Sequence, residues 1–230
     1  MQVTNPICVA LDTPDVARAT ALARLLRPHI GFVKIGMEFF YAYGKEGYEA
    51  VAREGVPIFL DLKLHDIPNT VEQGLRSLMR LAPAPALINI HAQGGRAMLE
   101  AARKAVPTTT QLIAVTVLTS LADEDCEATG HSLGASALAE KLAKLAESAG
   151  LDGVVCSARD LLRINATVKS SFLKVTPGIR PDDTAVHDQK RIATPAAAIA
   201  AGASILVIGR AITGAADPAR AAAAIRAALP

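Results

Sequence analysis

Ile58-Phe59-Leu60-Asp61-Leu62-Lys63-Leu64-His65-Asp66-Ile67-Pro68-Asn69-Thr70 is the stretch on which the fold turns. Ile58–Leu62 is a short, nearly continuous apolar run, the mark of a strand covered on both faces as in parallel sheets. Charged residues crowd its end. Pro68 then opens a helical pattern that runs to Leu81, because proline is tolerated where the first helical N–H has no partner anyway. Working outward, seven more runs of the same kind recur: Ile7–Leu11, Phe32–Ile35, Leu87–Ile90, Leu112–Leu118, Gly153–Cys156, Leu173–Thr176 and Ile205–Ile208. Helical patterns follow several of them. Asp15–Leu26 comes after an Asp12-Thr13-Pro14 start, Phe39–Glu54 stops at Gly55, Ser136–Ala149 at Gly150 and Pro195–Ala201 at Gly202, and Pro218–Leu229 closes the chain. Eight βα units in 230 residues predict an α/β protein, a single-domain (β/α)8 barrel over residues 1–230, with an open doubly wound sheet as the alternative. The longest loops, Thr119–Ala135 and Pro177–Lys190, both follow strands, which puts them on the catalytic face of a barrel.

The composition narrows the class. Apolar residues make up 51% and aromatic ones 3%, with no Trp, so a large core must be built mainly from Ala, Val, Ile and Leu. The formal net charge is +2 and no basic block is present, which argues against a nucleic-acid partner but leaves enough cations for a small anionic ligand. Cys8, Cys126 and Cys156 are odd in number and lack CxxC spacing, as reduced thiols in a cytoplasmic protein would. The N-terminus lacks a basic region followed by an apolar run, so no signal peptide is expected. Two uncharged stretches, Ala105–Ala122 and Ile192–Gly209, are broken by proline, threonine, glycine or serine and read as buried segments, not membrane spans. With no Cys/His cluster and no glycine fingerprint for a nucleotide cofactor, neither a metal nor a cofactor is expected.

The placement of charge is the strongest functional signal. A charge beside a buried strand end is costly unless paired. Here Asp12 follows the first strand, Lys34 lies in the second, Asp61 and Lys63 end the third, and Asp66 comes shortly after. Strand parity turns Asp61 and Lys63 to one face, and parallel strands about 4.8 Å apart bring Lys34 within reach of Asp61. Asp66 has the opposite parity and must come from a turn. One such pair could simply seal the mouth of a barrel; four or five charges on three successive strands point to a site.

The segment from Phe59 to Thr70 resembles the signature of orotidine 5′-phosphate decarboxylases. Ala10-Leu11-Asp12, Val33-Lys34-Ile35-Gly36, Leu118-Thr119-Ser120, Thr176-Pro177-Gly178-Ile179-Arg180, Asp188-Gln189-Lys190-Arg191 and Val207-Ile208-Gly209-Arg210 resemble the family's other motifs, in family order. The chain departs from the family pattern at His187, where glycine is common, and at Ala211, where proline is frequent. The resemblance implies decarboxylation of orotidine 5′-phosphate to uridine 5′-phosphate and CO2, the last step of de novo pyrimidine nucleotide synthesis, without a cofactor. It makes Lys63 the electrostatic stabiliser and proton donor, with Lys34, Asp61 and Asp66 holding it in place and charged. It gives Asp12 and Thr70 to the ribose hydroxyls, Thr119 or Ser120 to the pyrimidine edge, and Pro177, Arg180, Gln189, Gly209 and Arg210 to the nucleotide, the last four around its phosphate. Asp66 and Ile67 would reach the partner's site in a homodimer. The alternative is a metal-dependent sugar-phosphate decarboxylase or synthase of the same superfamily, and a silent nucleotide-binding protein is a more distant one. His91, at the end of the fourth strand, reads as a structural histidine.

Overall fold

The structure, a computed structural model, describes residues 3–180 and 193–230. Among them, the apolar runs become eight strands: β1 (Ile7–Ala10), β2 (Phe32–Gly36), β3 (Ile58–Leu64), β4 (Leu87–His91), β5 (Gln111–Val115), β6 (Gly153–Val155), β7 (Leu173–Thr176) and β8 (Ile205–Ile208). Each pairs in parallel with the next, and β8 returns to β1, with Ile7 opposite Leu206. Both edges of β1 are therefore taken, which establishes the closed barrel over the open sheet.

Alternation along the strands separates two apolar layers. Cys8, Ala10, Phe32, Phe59, Leu87, Ile113, Val175, Ile205 and Val207 fill the barrel interior. Their neighbours, among them Ile7, Val9, Val33, Ile35, Ile58 and Leu60, face outward into the layer shared with the helices. Each fully buried side chain of this size contributes about 1.5–3 kcal/mol. Five of the eight aromatic residues, Phe32, Phe39, Tyr48, Phe59 and Phe172, are buried. All three cysteines are buried, and burial pushes the Cys8 thiol far up, so it serves as a neutral filler of the interior.

The helices are α1 (Val16–Leu26), α2 (Met37–Ala52), α3 (Pro68–Leu78), α4 (Gly95–Ala105), α5 (Asp123–Ala128), α6 (Ala135–Ser148), α7 (Leu161–Asn165), α8 (Pro195–Ala200), α9 (Arg210–Thr213) and α10 (Pro218–Ala227). The side chains of Asp15, Thr194 and Asp217 cap α1, α8 and α10 by accepting from Arg18, Ala197 and Arg220 N–H. Gly150 and Gly202 follow α6 and α8 at φ 81° and 96°, the left-handed conformation in which glycine avoids a Cβ clash. Four of these helices have no counterpart in the sequence reading. α4 buries Met98, Leu99, Ala102 and Ala105 at helical spacing, but it opens on Gly94-Gly95 and lacks a capping side chain. α5 lies within the long loop after β5, and α7 and α9 are single turns. β5 stops at Val115, short of the expected Leu118, where the Thr116 hydroxyl bonds the Val155 carbonyl that its own N–H also uses.

No helix among the described residues is long and apolar enough to cross a membrane.

Candidate active site

At the carboxyl ends of the strands lies a cavity of about 560 Å3, within the size range of small-molecule sites. Its floor includes Ala10, Phe59 and Val207 from the barrel interior, and one wall carries the charges read from sequence. Lys34 on β2 donates to Asp12 Oδ1 at 3.1 Å and lies 3.3 Å from Asp61 Oδ2. Lys63 Nζ donates to Asp61 Oδ1 at 2.7 Å. Gly36 keeps this space open, since a Cβ there would come within 3.1 Å of Lys34 Nζ and 3.4 Å of Asp12 Oδ1.

Asp61 is only 7% exposed. Burial pushes its carboxyl up, but the Lys34 and Lys63 charges and the hydrogen bonds from Lys63 and Asn89 outweigh that and hold it below the usual carboxylate range. Burial likewise pushes Lys34 down, while Asp61 and Asp12 more than compensate and leave it above its ordinary value.

The contact between Asp61 and Lys63 agrees with the parity argument, but its geometry differs. From Leu60 to Leu64 on β3 the partner on β4 advances only from Ile88 to Ile90, so β3 bulges there. Lys63 sits in the bulge at φ 51°, a left-handed conformation that costs a residue with a Cβ about 1–2 kcal/mol. Asn89 faces the gap. Fully buried, it accepts from Lys63 N–H through Oδ1 at 2.8 Å and donates from Nδ2 to Asp61 Oδ1 at 2.6 Å. Sequence reading missed this residue, because an asparagine inside the run Leu87–Ile90 carries no signal of its own.

Of the other residues read from sequence, Thr119, Pro177, Arg180, Gly209 and Arg210 line the cavity. Arg180 stands at its rim, where its N–H bonds the Ala193 carbonyl and Ala193 N–H returns to Gly178. Asp66, Ile67, Thr70 and Ser120 are exposed and do not line it. Among the described residues, Asp66 Oδ1 accepts only from Ile67 N–H in its own turn, at 2.6 Å. Gln189 lies outside the described residues.

His91 does not line the cavity; its ring stacks on His65 with centroids 5.3 Å apart. Burial, then the His65 and Lys63 charges, lower its pKa to about 4, against a smaller opposing effect of Asp61. An unfolded chain binds this proton near pH 6.5. Between those values the unfolded state holds more protons, so stability is lost as pH falls through the window. Since the ring is partly solvated, the loss attributable to His91 should be about 1–2 kcal/mol. Denaturant unfolding at pH 7 and pH 4.5 tests this. His91→Gln should flatten the pH dependence by that amount, and an unchanged slope would remove His91 as its source.

The family model of the orotidine 5′-phosphate decarboxylase / HUMPS family matches residues 5–225. A relative from Rhodospirillum rubrum named orotidine 5′-phosphate decarboxylase is 51% identical over 227 residues, covering 95% of this chain and 91% of its own. One of the same name from Novosphingobium aromaticivorans is 51% identical over 226 residues, covering 98% of this chain and all of its own. The crystal structure of orotidine 5′-phosphate decarboxylase from Lactobacillus acidophilus superimposes with a TM-score of 0.83 at 38% identity, covering 97% of this chain and 98% of that one.

Proposed function

The chain belongs to the orotidine 5′-phosphate decarboxylase / HUMPS family, and from that premise we propose that it decarboxylates orotidine 5′-phosphate to uridine 5′-phosphate, with Lys63 as the group that meets C6, the carbon from which the carboxylate departs. The observation that carries this reading is the pair of ammonium groups, Lys34 and Lys63, on the one buried carboxylate of Asp61 at the cavity wall.

The chemistry demands such an arrangement. Breaking the bond between C6 and its carboxylate leaves the electron pair on C6, in an orbital the ring cannot delocalise. A fixed positive charge beside C6 stabilises that pair, and a proton from the same ammonium ends its life. Lys63 Nζ supplies both: CO2 leaves, the Nζ proton moves to C6, and the amine regains a proton from solvent after release. Asp61 and Lys34 hold Lys63 in position before the substrate arrives, so no reorganisation is needed during the step. Arg210 and Arg180, which also line the cavity, carry planar forks of donors suited to a phosphate. Among the described residues, a Cβ at Gly209 would meet only Ala10 Cβ, at 3.7 Å, an ordinary contact, and that open space suits close approach of an anion to the backbone. Asp12 beside Lys34 suits a ribose hydroxyl, and Thr119, which lines the cavity where Ser120 does not, suits the pyrimidine edge.

Asp66 and Ile67 act in this reading through a homodimer, in which each chain lends its turn to the other's site. Their exposure supports it: Ile67, a large aliphatic residue, is 65% exposed on a run of exposed residues from His65 to Thr70. Buried cysteines and the absence of a membrane-crossing helix among the described residues are compatible with a cytoplasmic enzyme. The metal-dependent alternative fits the charges less well, because two ammonium groups flank the carboxylate that a divalent cation would need.

The deciding assay incubates the purified protein with orotidine 5′-phosphate in EDTA and follows loss of the substrate's ultraviolet absorbance. Full activity is expected. Activity lost to the chelator and restored by a divalent metal would favour the sugar-phosphate alternative, and binding without turnover would make the chain a silent nucleotide-binding protein.

A further inference from the structure

Asn89 lies on β4 between Ile88 and Ile90, both of which face the outer apolar layer, so its own side chain points into the barrel, on the side of Leu87. There it meets the bulge of β3, where the regular ladder between the two strands is interrupted. Each half of the amide has one task. Oδ1 accepts from the Lys63 main-chain N–H, and Nδ2 donates to Asp61 Oδ1, the same oxygen that Lys63 Nζ engages. The orientation is unambiguous, because a flipped amide would turn its oxygen toward a carboxylate and its NH2 toward an N–H.

We infer that Asn89 is a positioning residue for decarboxylation, one whose amide sets the direction of the Lys63 ammonium by holding both the Lys63 backbone and the Asp61 carboxylate. The inference rests on the reading of Lys63 given above. Its logic is geometric. Lys63 occupies a left-handed conformation unfavourable for its residue type, and a main chain so placed needs an external partner to stay there. Asn89 is that partner, and it ties Lys63 to Asp61 at a second point besides their own ion pair. No common replacement repeats this. Aspartate of the same shape can accept from Lys63 N–H but cannot donate to Asp61, and it brings a second carboxylate to within hydrogen-bonding distance of the first. Alanine removes both bonds. Glutamine adds a methylene where no space is free around a fully buried side chain.

The test compares wild type with Asn89→Ala, Asn89→Ser and Asn89→Asp, each checked for folding by circular dichroism and for binding of uridine 5′-phosphate by calorimetry. A misplacement of the reacting group by about 1 Å costs on the order of 100-fold in rate, so Asn89→Ala should lower kcat by about 100-fold while KM and product affinity stay within about 3-fold, because the cavity's nucleotide contacts remain. The acid limb of the kcat profile should move to higher pH in Asn89→Ala, since Asp61 loses a donor to its charged form, and further in Asn89→Asp, where a like charge is added. Asn89→Ser, which keeps one hydroxyl, should fall between Ala and wild type. A merely structural role would lower the folded fraction while leaving KM and the pH profile of the folded enzyme unmoved. Folded variants with wild-type kcat and pH profile overturn the inference, as does failure of all three to fold, which would assign Asn89 to stability alone. If wild type itself does not turn over orotidine 5′-phosphate, the reading of Lys63 fails first and the inference falls with it.

Discussion

Lys63→Ala should abolish nearly all decarboxylation while leaving the barrel folded. In the proposed mechanism the variant loses a proton donor, worth about 10²–10⁴-fold, and a preorganised charge beside the developing carbanion, worth about 10²–10³-fold. A combined loss on the order of 10⁴-fold or more follows. Folding should survive because the carboxylate left behind is not stranded. Asp61 keeps Lys34 at 3.3 Å and the Asn89 amide at 2.6 Å, and alanine pays no more than lysine for the left-handed backbone at this position. The measurement is kcat on orotidine 5′-phosphate, with the circular dichroism spectrum and melting temperature as controls for folding. A folded Lys63→Ala enzyme with substantial turnover would mean that another group delivers the proton.

The second large effect concerns the exposed turn. If each site joins Lys63 of one chain to Asp66 of the other, then Lys63→Ala and Asp66→Asn should each be almost inactive alone. A mixed dimer of the two has one site in which both residues are native and one in which both are replaced. Random pairing of equal amounts makes half of the dimers mixed, so roughly a quarter of wild-type activity should return. The variants need to be coexpressed, or unfolded and refolded together, since a stable dimer exchanges slowly. Verified mixed dimers no more active than the separate variants would confine Asp66 to its own chain, where the structure gives it no cation partner among the described residues.

The architecture was largely legible because parallel strands buried on both faces leave continuous apolar runs, and every one of the eight became a strand. α4 was not, since glycines at its start replace the usual capping signal and its apolar spacing lies among four charged residues. The charged wall was legible for a related reason: Lys34, Asp61 and Lys63 stand out against apolar strands. What pattern could not give is the bulge. Period-two reasoning assigns Lys63 the right face, yet the residue leaves the strand conformation, and the partner that permits this sits on another strand 26 positions away. Asp66, Ile67 and Thr70 illustrate a different limit, because a single chain leaves them on its surface, and the roles proposed for Asp66 and Ile67 call for a second copy.

The packed interior has a consequence for traffic. Phe59 belongs both to the cavity floor and to the plug of side chains that fills the barrel beneath it. The cavity therefore has a closed end, and nothing formed over that floor can drain through the barrel axis. In the proposed reaction, carbon dioxide and the nucleotide that carried it therefore leave on the side from which the substrate enters.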